Sequence, residues 1–290
     1  MYFEGTYTAL ITPFYRDESV DFDTLEQLVE RQIEGGVDGL VPVGTTGESP
    51  TLRPDEHLKV IERVVRVAAG RCKVIAGTGA NSTAEAVELT LGAKAFGVDG
   101  TLQVTPYYNK PNDAGLVRHF SAVADLGVPV VLYNVPGRTA REIPIPVVAE
   151  LAQHPSVVSV KEAAGSVERV QEILGVCSLE VLSGDDALAV PMIEAGACGV
   201  ISVASNVVPS GVSEMIRAAR EGRWEEAHRL HEQWLPLFDD LFIDTNPIPV
   251  KAAAAMLGWV DEIYRLPLCE MEESLRERLR GTMRAMGIVE

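Results

Sequence analysis

The sequence predicts an α/β protein, a single (β/α)8 TIM barrel with a C-terminal three-helix extension. Short β-branched apolar runs recur at intervals of roughly thirty residues, which is the size of one strand–helix step. Amphipathic helical patterns separate these runs, and this alternation predicts a parallel sheet with helices on its faces. Because there are eight such units, closure of the sheet into a barrel is favoured over an open sheet.

The predicted strands are short and each ends at residues typical of a turn. Their ends fall near Thr12, Gly44, Gly77, Pro106, Tyr133, Lys161, Gly184 and Ser202.

The predicted helices carry start signals of their own. Asp23 is expected to cap a helix that runs to Gln32, and Ser82 with Glu85 is typical of a capping box for a helix over 82–96. Other barrel helices are predicted over 55–69, 114–125, 145–152, 167–174, 186–195 and 209–221. Beyond about residue 223 the pattern predicts three helices and no strand, over 224–242, 249–257 and 270–286. We therefore expect a barrel over 1–222 and an extension over 223–290 that form one structural unit.

Composition excludes several classes of function. The chain has 290 residues, of which 47% are hydrophobic, and a net charge of −17. This acidic balance opposes binding to nucleic acid and docking on an anionic membrane. The N-terminal residues lack the basic and apolar regions of a signal peptide, and no apolar run approaches the ~18 residues of a membrane span. We expect a cytoplasmic protein with a small-molecule substrate.

No motif favours a metal or a cofactor. The four cysteines form no CxxC pair, and Gly77-Thr78-Gly79 lacks the third glycine of a dinucleotide-binding loop. His228 and His231 share a helix face without a third ligand nearby. Asp185 and Asp186 could hold a divalent ion, but a helix N-cap after the seventh strand is the preferred interpretation.

Polar residues gather where the predicted strands end, which is the face that carries the active site in barrels of this type. Lys161 follows the apolar run of the sixth strand. Burial would lower its pKa, and a neutral amine can attack a carbonyl and form an iminium. The alternative is an ordinary lysine whose ammonium group reaches solvent from the strand end.

Three neighbouring segments offer suitable partners. Tyr133 could exchange protons with the adduct, although a core tyrosine is the commoner fate of such a residue. Thr45 and Thr46 could bind a carboxylate, or simply close a turn. The Arg138 guanidinium suits a second carboxylate, or a surface ion pair.

These residues lie in motifs that resemble the dihydrodipicolinate synthase and N-acetylneuraminate lyase family. The motifs are GTTGE at 44–48, YNVPGRT at 133–139, VKEA at 160–163, SGDD at 183–186 and GVISV at 199–203, and the likeness spans nearly the whole chain. The resemblance implies the barrel with C-terminal helices, and a homotetramer built as a dimer of dimers.

The resemblance also implies roles for individual residues. Lys161 matches the Schiff-base lysine. Thr45, Tyr108 and Tyr133 match a proton relay in which the residue at Tyr108 comes from the neighbouring subunit. Thr46 matches a contact to the pyruvate carboxylate, Arg138 matches the residue that receives the aldehyde's carboxylate, and Gly184 and Ile201 match positions that line the pocket.

The implied reaction is the condensation of pyruvate with L-aspartate 4-semialdehyde on the route to diaminopimelate and lysine. An N-acetylneuraminate or 2-keto-3-deoxy-sugar-acid lyase would use the same lysine, but Arg138 and Tyr108 favour the short amino-aldehyde. A non-catalytic barrel that binds a small acid would have lost Lys161 or the tyrosines. A metal-dependent aldolase would need a cluster of histidines and carboxylates at the strand ends.

A regulatory site is a further hypothesis. In lysine-inhibited members of the family an interface site binds the amino acid, and the matching residues are Ser49, His57, Asn81, Glu85 and Tyr107. Pro54 departs from that pattern, because many inhibited bacterial members carry a histidine there. The matching residues favour an inhibited protein, and Pro54 favours an uninhibited one.

Overall fold

A computed structural model describes residues 2–290 of the chain. Met1 belongs to the N-terminal segment that lacks the features of a signal peptide, and it lies outside the described residues. Within the described part, eight parallel strands pair in chain order, and the eighth pairs back onto the first. The predicted closed barrel is therefore confirmed. The strands are β1 (Gly5–Ala9), β2 (Gly39–Val41), β3 (Lys73–Gly77), β4 (Gly100–Val104), β5 (Val130–Asn134), β6 (Val157–Glu162), β7 (Glu180–Ser183) and β8 (Gly199–Ser202).

Helices follow the strands in the order that the alternating pattern predicts. Those of the barrel are α1 (Phe22–Glu34), α2 (Pro54–Ala68), α3 (Thr83–Phe96), α4 (Asp113–Ala124), α5 (Pro136–Thr139), α6 (Ile145–Leu151), α7 (Glu168–Leu174), α8 (Ala189–Glu194) and α9 (Pro209–Arg220). The three C-terminal helices are α10 (Trp224–Asp240), α11 (Ile248–Met256) and α12 (Glu273–Ala285). Two 3₁₀ turns lie at Ser49–Thr51 and Ala204–Asn206.

Two predicted helix starts are wrong in detail. Asp21, not Asp23, caps α1, and its carboxylate accepts a hydrogen bond of 3.0 Å from the Thr24 N–H. Asp23 is already inside the first helical turn, where its side chain cannot reach back to the free N–H groups. Ser82 does precede α3, but its side chain makes no capping hydrogen bond. Both Ser82 and Glu85 are exposed, so solvent can satisfy these groups instead.

The core has two layers. Large apolar side chains fill the barrel interior, among them Phe3, Tyr7, Leu102 and Leu182. A second, larger layer lies between the strands and the surrounding helices. Because successive side chains of a strand point to opposite sides, each strand contributes to both layers. All six residues of β6 are consequently buried.

The C-terminal helices pack against the barrel and one another. Helix α10 contacts α9 and α12, α11 contacts α12, and α11 also touches the 3₁₀ turn that follows β8. Lys251 of α11 is fully buried against Glu48, which lies in the loop after β2. We propose on this basis that the barrel and the extension are one structural unit. None of the helices in residues 2–290 combines the length and apolar character that a membrane crossing requires.

Closure of the barrel depends on a close approach between β8 and β1. A Cβ atom on Gly199 would lie 2.1 Å from the Gly5 carbonyl oxygen. We expect Gly199→Ala to destabilise the protein by about 1–3 kcal/mol or more, since the contact is with backbone that cannot move aside. Denaturant unfolding measures the effect. Gly281→Ala is the control, because a Cβ on this α12 residue meets open space, and it should stabilise by about 0.5–1 kcal/mol. Equal stability of Gly199→Ala and the parent would contradict this view of the closure.

Candidate active site

Lys161 lies near the C-terminal end of β6, inside the barrel. In the strand register it is opposite Tyr133 of β5 on one side and Leu182 of β7 on the other. The side chain is almost fully buried, with 6% exposure, and its Nζ lies 4.4 Å from the centre of the Tyr133 ring. The alternative of a lysine that reaches into solvent is therefore wrong for this chain.

Burial determines the protonation of this amine. Desolvation lowers the pKa of Lys161 to about 8, while the Asp186 carboxylate acts in the opposite direction and the Arg138 guanidinium adds to the lowering. At pH 7 a fraction on the order of a tenth of such amines is neutral. The amine is thus available as a nucleophile under physiological conditions, unlike an ordinary lysine.

Asp186 supplies the opposing negative charge and is itself fully buried. Its carboxylate accepts hydrogen bonds from the Ser202 hydroxyl and from the N–H groups of Val203 and Ala204, at 2.9 Å each for the two N–H groups. The predicted N-cap role is wrong, because α8 begins only at Ala189 after the N-cap residue Leu188. Since β7 and β8 are neighbours, the carboxylate reaches across to the segment after β8 instead.

The Tyr133 ring lies beside the lysine. It is 7% exposed, and burial raises the pKa of its hydroxyl, while Arg138 and a hydrogen bond with the Thr45 side chain act in the lowering direction. The hydroxyl therefore stays protonated near neutral pH. A protonated hydroxyl at this position is chemically able to exchange a proton with a group bound at Lys161.

Thr46 and Arg138 are joined through a residue of the extension. The buried Thr46 hydroxyl accepts a hydrogen bond of 3.0 Å from the Asn246 amide, and Arg138 Nη2 donates to the Asn246 carbonyl at 3.1 Å. The side-chain oxygen of Asn246 is buried and has no partner within the described residues. Sequence reasoning missed Asn246, whose one signal is the Asn-Pro pair that ends a loop before α11.

These side chains surround one cavity of about 130 Å³ at the C-terminal end of the barrel. From the sequence-predicted set its wall contains Thr45, Thr46, Tyr133, Arg138, Lys161 and Gly184, and it also contains Asp185, Asn246 and Phe242. Gly184 leaves room for the lysine, because a Cβ there would lie 3.0 Å from Lys161 Cε. Ile201 is fully buried among the barrel-interior side chains and does not contribute to this wall.

The Tyr108 side chain does not line this cavity within the same chain. It is 90% exposed and has a positive φ of 71°, which is unusual for a residue with a large side chain. The structure thus gathers Lys161, Tyr133 and Thr45, and leaves the fourth predicted catalytic residue at the surface.

A second cavity, of about 320 Å³, adjoins the first and shares Thr45, Val135 and Arg138 with it. Of the predicted regulatory residues its wall contains Ser49, His57, Glu85 and Tyr107, and Pro54 is also present. Asn81 lies alongside, and its amide donates to the Tyr107 carbonyl at 3.3 Å.

The histidines that share a face of α10 have separate partners. His228 Nε2 contacts Glu194 at 2.9 Å, and His231 Nε2 contacts the Ala187 carbonyl at 2.8 Å. Residues 2–290 contain no group of three or more His, Cys, Asp or Glu side chains that could hold a metal ion.

Known proteins are similar to this chain in both sequence and fold. The model of the dihydrodipicolinate synthetase family matches residues 2–286. The 4-hydroxy-tetrahydrodipicolinate synthase of Pelobacter propionicus is 49% identical over 290 residues, which cover 99% of this chain and 100% of that protein. The solved structure of the chloride-inhibited dihydrodipicolinate synthase from Acinetobacter baumannii complexed with pyruvate has a TM-score of 0.96 at 43% identity, and covers 99% of both chains. The structure of DHDPS from Cyanidioschyzon merolae with lysine bound has a TM-score of 0.96 at 41% identity, again over 99% of both chains. The chain therefore belongs to the dihydrodipicolinate synthetase family.

Proposed function

We propose that this chain catalyses the reaction of a 4-hydroxy-tetrahydrodipicolinate synthase, the Schiff-base condensation of pyruvate with L-aspartate 4-semialdehyde in diaminopimelate and lysine biosynthesis. The observation that carries the proposal is the desolvated amine of Lys161, which opens into a cavity with a proton donor and a guanidinium on its wall. The full-length similarity to 4-hydroxy-tetrahydrodipicolinate synthases supports the same reaction. The enzyme is thus a lyase of the class I aldolase type.

The first step forms the Schiff base. Neutral Lys161 attacks the C2 carbonyl carbon of pyruvate, and the carbonyl oxygen takes up a proton to give a carbinolamine. The hydroxyls of Tyr133 and Thr45 carry protons to this oxygen, which then leaves as water. Thr46 binds the pyruvate carboxylate in this scheme, and the hydrogen bond from Asn246 to its hydroxyl supports this role by fixing the orientation of the side chain.

The second step makes the carbon–carbon bond. The iminium withdraws electrons from the pyruvate methyl group, and loss of a methyl proton to the Tyr133 relay gives an enamine. The enamine carbon attacks the aldehyde carbon of the semialdehyde, whose oxygen is protonated. Arg138 holds the carboxylate of this second substrate by paired hydrogen bonds. The amine of that substrate then displaces Lys161 as the ring closes, and the free lysine is restored.

The size and polarity of the cavity favour a short aldehyde over a sugar. About 130 Å³ is little space for an extended polyhydroxylated chain, and Phe242 presents an apolar ring on the wall. An N-acetylneuraminate or 2-keto-3-deoxy-sugar-acid lyase would need polar partners for several hydroxyls. Those lyases remain the alternative within this mechanism, and a non-catalytic barrel that binds a small acid is the second.

Assembly and location complete the proposal. The 90% exposed Tyr108 side chain agrees with a role at an interface, where this hydroxyl joins the relay of the neighbouring subunit, and the assembly proposed is a homotetramer, a dimer of dimers. We propose a cytoplasmic enzyme that binds no nucleic acid and no membrane, in keeping with its net charge of −17.

The second cavity supports a second function, inhibition by lysine. An amino acid carries one ammonium group and one carboxylate on the same carbon, plus in lysine a second ammonium. The cavity offers the Glu85 carboxylate together with the hydroxyls of Ser49 and Tyr107. Because Thr45 and Arg138 belong to both cavities, an occupant of the second would press on residues of the first. Because Pro54 stands where many inhibited members of the family carry a histidine, this cavity lacks one imidazole.

Pyruvate consumption by the purified protein tests the main proposal. We expect rapid consumption with L-aspartate 4-semialdehyde, and none above background with N-acetylmannosamine or glyceraldehyde. Lys161→Ala should lose turnover by a factor on the order of 10⁴ or more, since the iminium can no longer form. Borohydride reduction in the presence of pyruvate should add the mass of the reduced adduct to the parent and not to the variant. Consumption with a sugar aldehyde alone would move the protein to the alternative, and full activity of Lys161→Ala would refute the Schiff base.

The rate of Schiff-base formation should rise with pH through about 8. The folded-state pKa of Lys161 is lowered from 10.5 to about 8, so the reactive neutral amine accumulates as pH rises through that value. Initial rates of borohydride trapping against pH measure this midpoint. Arg138→Gln should move the midpoint upward, because it removes a cation that disfavours the charged lysine. A midpoint near 10.5 in the parent would contradict the burial of the amine.

L-lysine should lower turnover in a titration at fixed pyruvate. We expect Glu85→Gln to weaken the inhibition by roughly 10-fold or more, because the ammonium of the ligand loses a charged acceptor. Glu88→Gln is the matched control on the same helix, where the side chain is exposed and outside the cavity. Turnover of the parent that stays flat up to high lysine concentration would reject the effector site.

A further inference from the structure

A fully buried ion pair links the extension to the loop after β2. Lys251 Nζ of α11 lies 2.5 Å from Glu48 Oε1, and neither side chain has any exposed surface. Glu48 ends the loop Gly44–Glu48, which carries Thr45 and Thr46 of the proposed active site. Neither side chain takes part in the proposed Schiff-base steps.

Every polar atom of the pair has a partner. Lys251 Nζ also donates to the Ile263 carbonyl at 2.6 Å, and lies 4.3 Å from the centre of the Phe14 ring. Glu48 Oε2 accepts from the Arg265 N–H at 3.3 Å. A lysine held by a carboxylate, a carbonyl and an aromatic face has a single orientation. The carboxylate of Glu48 is therefore held at a defined point.

The conformation of the loop depends on the position of the Glu48 side chain. Glu48 has a φ of 56°, in the left-handed region that residues with a side chain seldom adopt. Its N–H donates to the Thr45 carbonyl at 3.1 Å, and the Gly47 carbonyl accepts from the Thr12 hydroxyl at 2.7 Å. Thr45 and Thr46 thus lie in a tight turn whose far end is fixed by the Glu48 side chain. The same stretch of the extension acts on the turn a second time, through the hydrogen bond from Asn246 to Thr46.

Stability alone gives no reason for a charged pair at this place. Removing two charges from water is unfavourable, and apolar side chains of similar size usually stabilise a core as well or better. The extension is also attached to the barrel by other contacts, such as that of His231 with the Ala187 carbonyl at 2.8 Å. A defined geometry of the turn is what the charged pair offers beyond packing.

We propose that Glu48 and Lys251 are positioning residues, which hold the Thr45–Thr46 turn so that Thr45 stays within reach of Tyr133 for proton transfer. This inference rests on the proposed Schiff-base function and deepens it. Without the pair, Lys161 would still reach its iminium at equilibrium, because its own surroundings in β5, β6 and β7 are unchanged, although the approach to equilibrium would be slower with Thr45 displaced. Abstraction of the pyruvate methyl proton would slow, since the Tyr133 relay would lose its partner.

The double variant Glu48→Leu with Lys251→Met tests the inference, because it removes both charges and keeps the volume. Three quantities are measured on the full chain: thermal unfolding, borohydride trapping with pyruvate, and exchange of pyruvate methyl protons in D₂O by NMR. We expect the parent's final extent of trapping and a cooperative unfolding transition, at a temperature lowered by the loss of a partner for the Ile263 carbonyl and the Arg265 N–H. Proton exchange should fall by a factor on the order of 100, the usual effect of a misplaced catalytic group.

Further variants separate positioning from folding. Glu48→Asp keeps the charge but shortens its reach, and should give intermediate exchange with full trapping. It also serves as the test if the double variant does not fold. Arg278→Met, the control, breaks an ion pair within the extension, between α12 and α10 and away from the cavity, and should exchange at the parent's rate.

The outcomes distinguish this inference from the proposed function. Parent-level exchange in a folded double variant, or in Glu48→Asp if the double variant is unfolded, overturns the positioning role and leaves the Schiff base intact. Loss of exchange together with loss of trapping also overturns it, since the pair would then act on Lys161. A parent that traps no pyruvate overturns the proposed function itself.

Discussion

The removal of Lys161 from water is the constraint on which the rest of this site depends. A closed barrel has no free edge, so every residue of β6 is covered by β5, β7, the interior side chains and the outer helices. An amine in such a place is less basic, and its pKa falls to about 8. The fold thus lowers the basicity of this amine, and a neutral lysine amine is a nucleophile. The strand end is where this is feasible, since a cavity there admits the carbonyl.

The same burial makes the positive charge of an iminium at Lys161 unfavourable unless a neighbouring group compensates it. An iminium carries a permanent positive charge, and a buried charge needs a compensating one. Asp186 is close enough to raise the pKa of Lys161, and its carboxylate is held by three donors from Ser202, Val203 and Ala204. Arg138 acts in the opposite direction and keeps the free amine reactive. The two groups therefore favour opposite states of the lysine, one before the adduct forms and one after.

Much of this arrangement could be predicted from the sequence. The barrel follows from strand and helix periodicity, and the side chains at strand ends meet because parallel strands of a closed barrel all end on one face. Asn246 could not be found in this way. It lies 200 residues from its partner Thr46, in a loop of the extension, and no local pattern records how the extension packs. The partner of Glu48 also lies in the extension, so no local pattern indicates the role proposed for Glu48. The N-cap prediction for Asp186 is wrong because the partners of its carboxylate follow a different strand. The Asp23 and Ser82 errors are of another kind, since a cap depends on the backbone angles of one residue.

The extension adds to the barrel the contacts that hold the turn after β2. Its helices supply no strand and no nucleophile, but the segment from Asn246 to Lys251 contacts Thr46 and Glu48 of the turn after β2. Loops are the most mobile parts of a barrel, whereas a proton relay needs its members fixed within a fraction of an ångström. Packing α11 against the open face makes the turn part of the core. The barrel accordingly sets the basicity of the lysine, and the extension sets the geometry of the groups that exchange protons with its adduct.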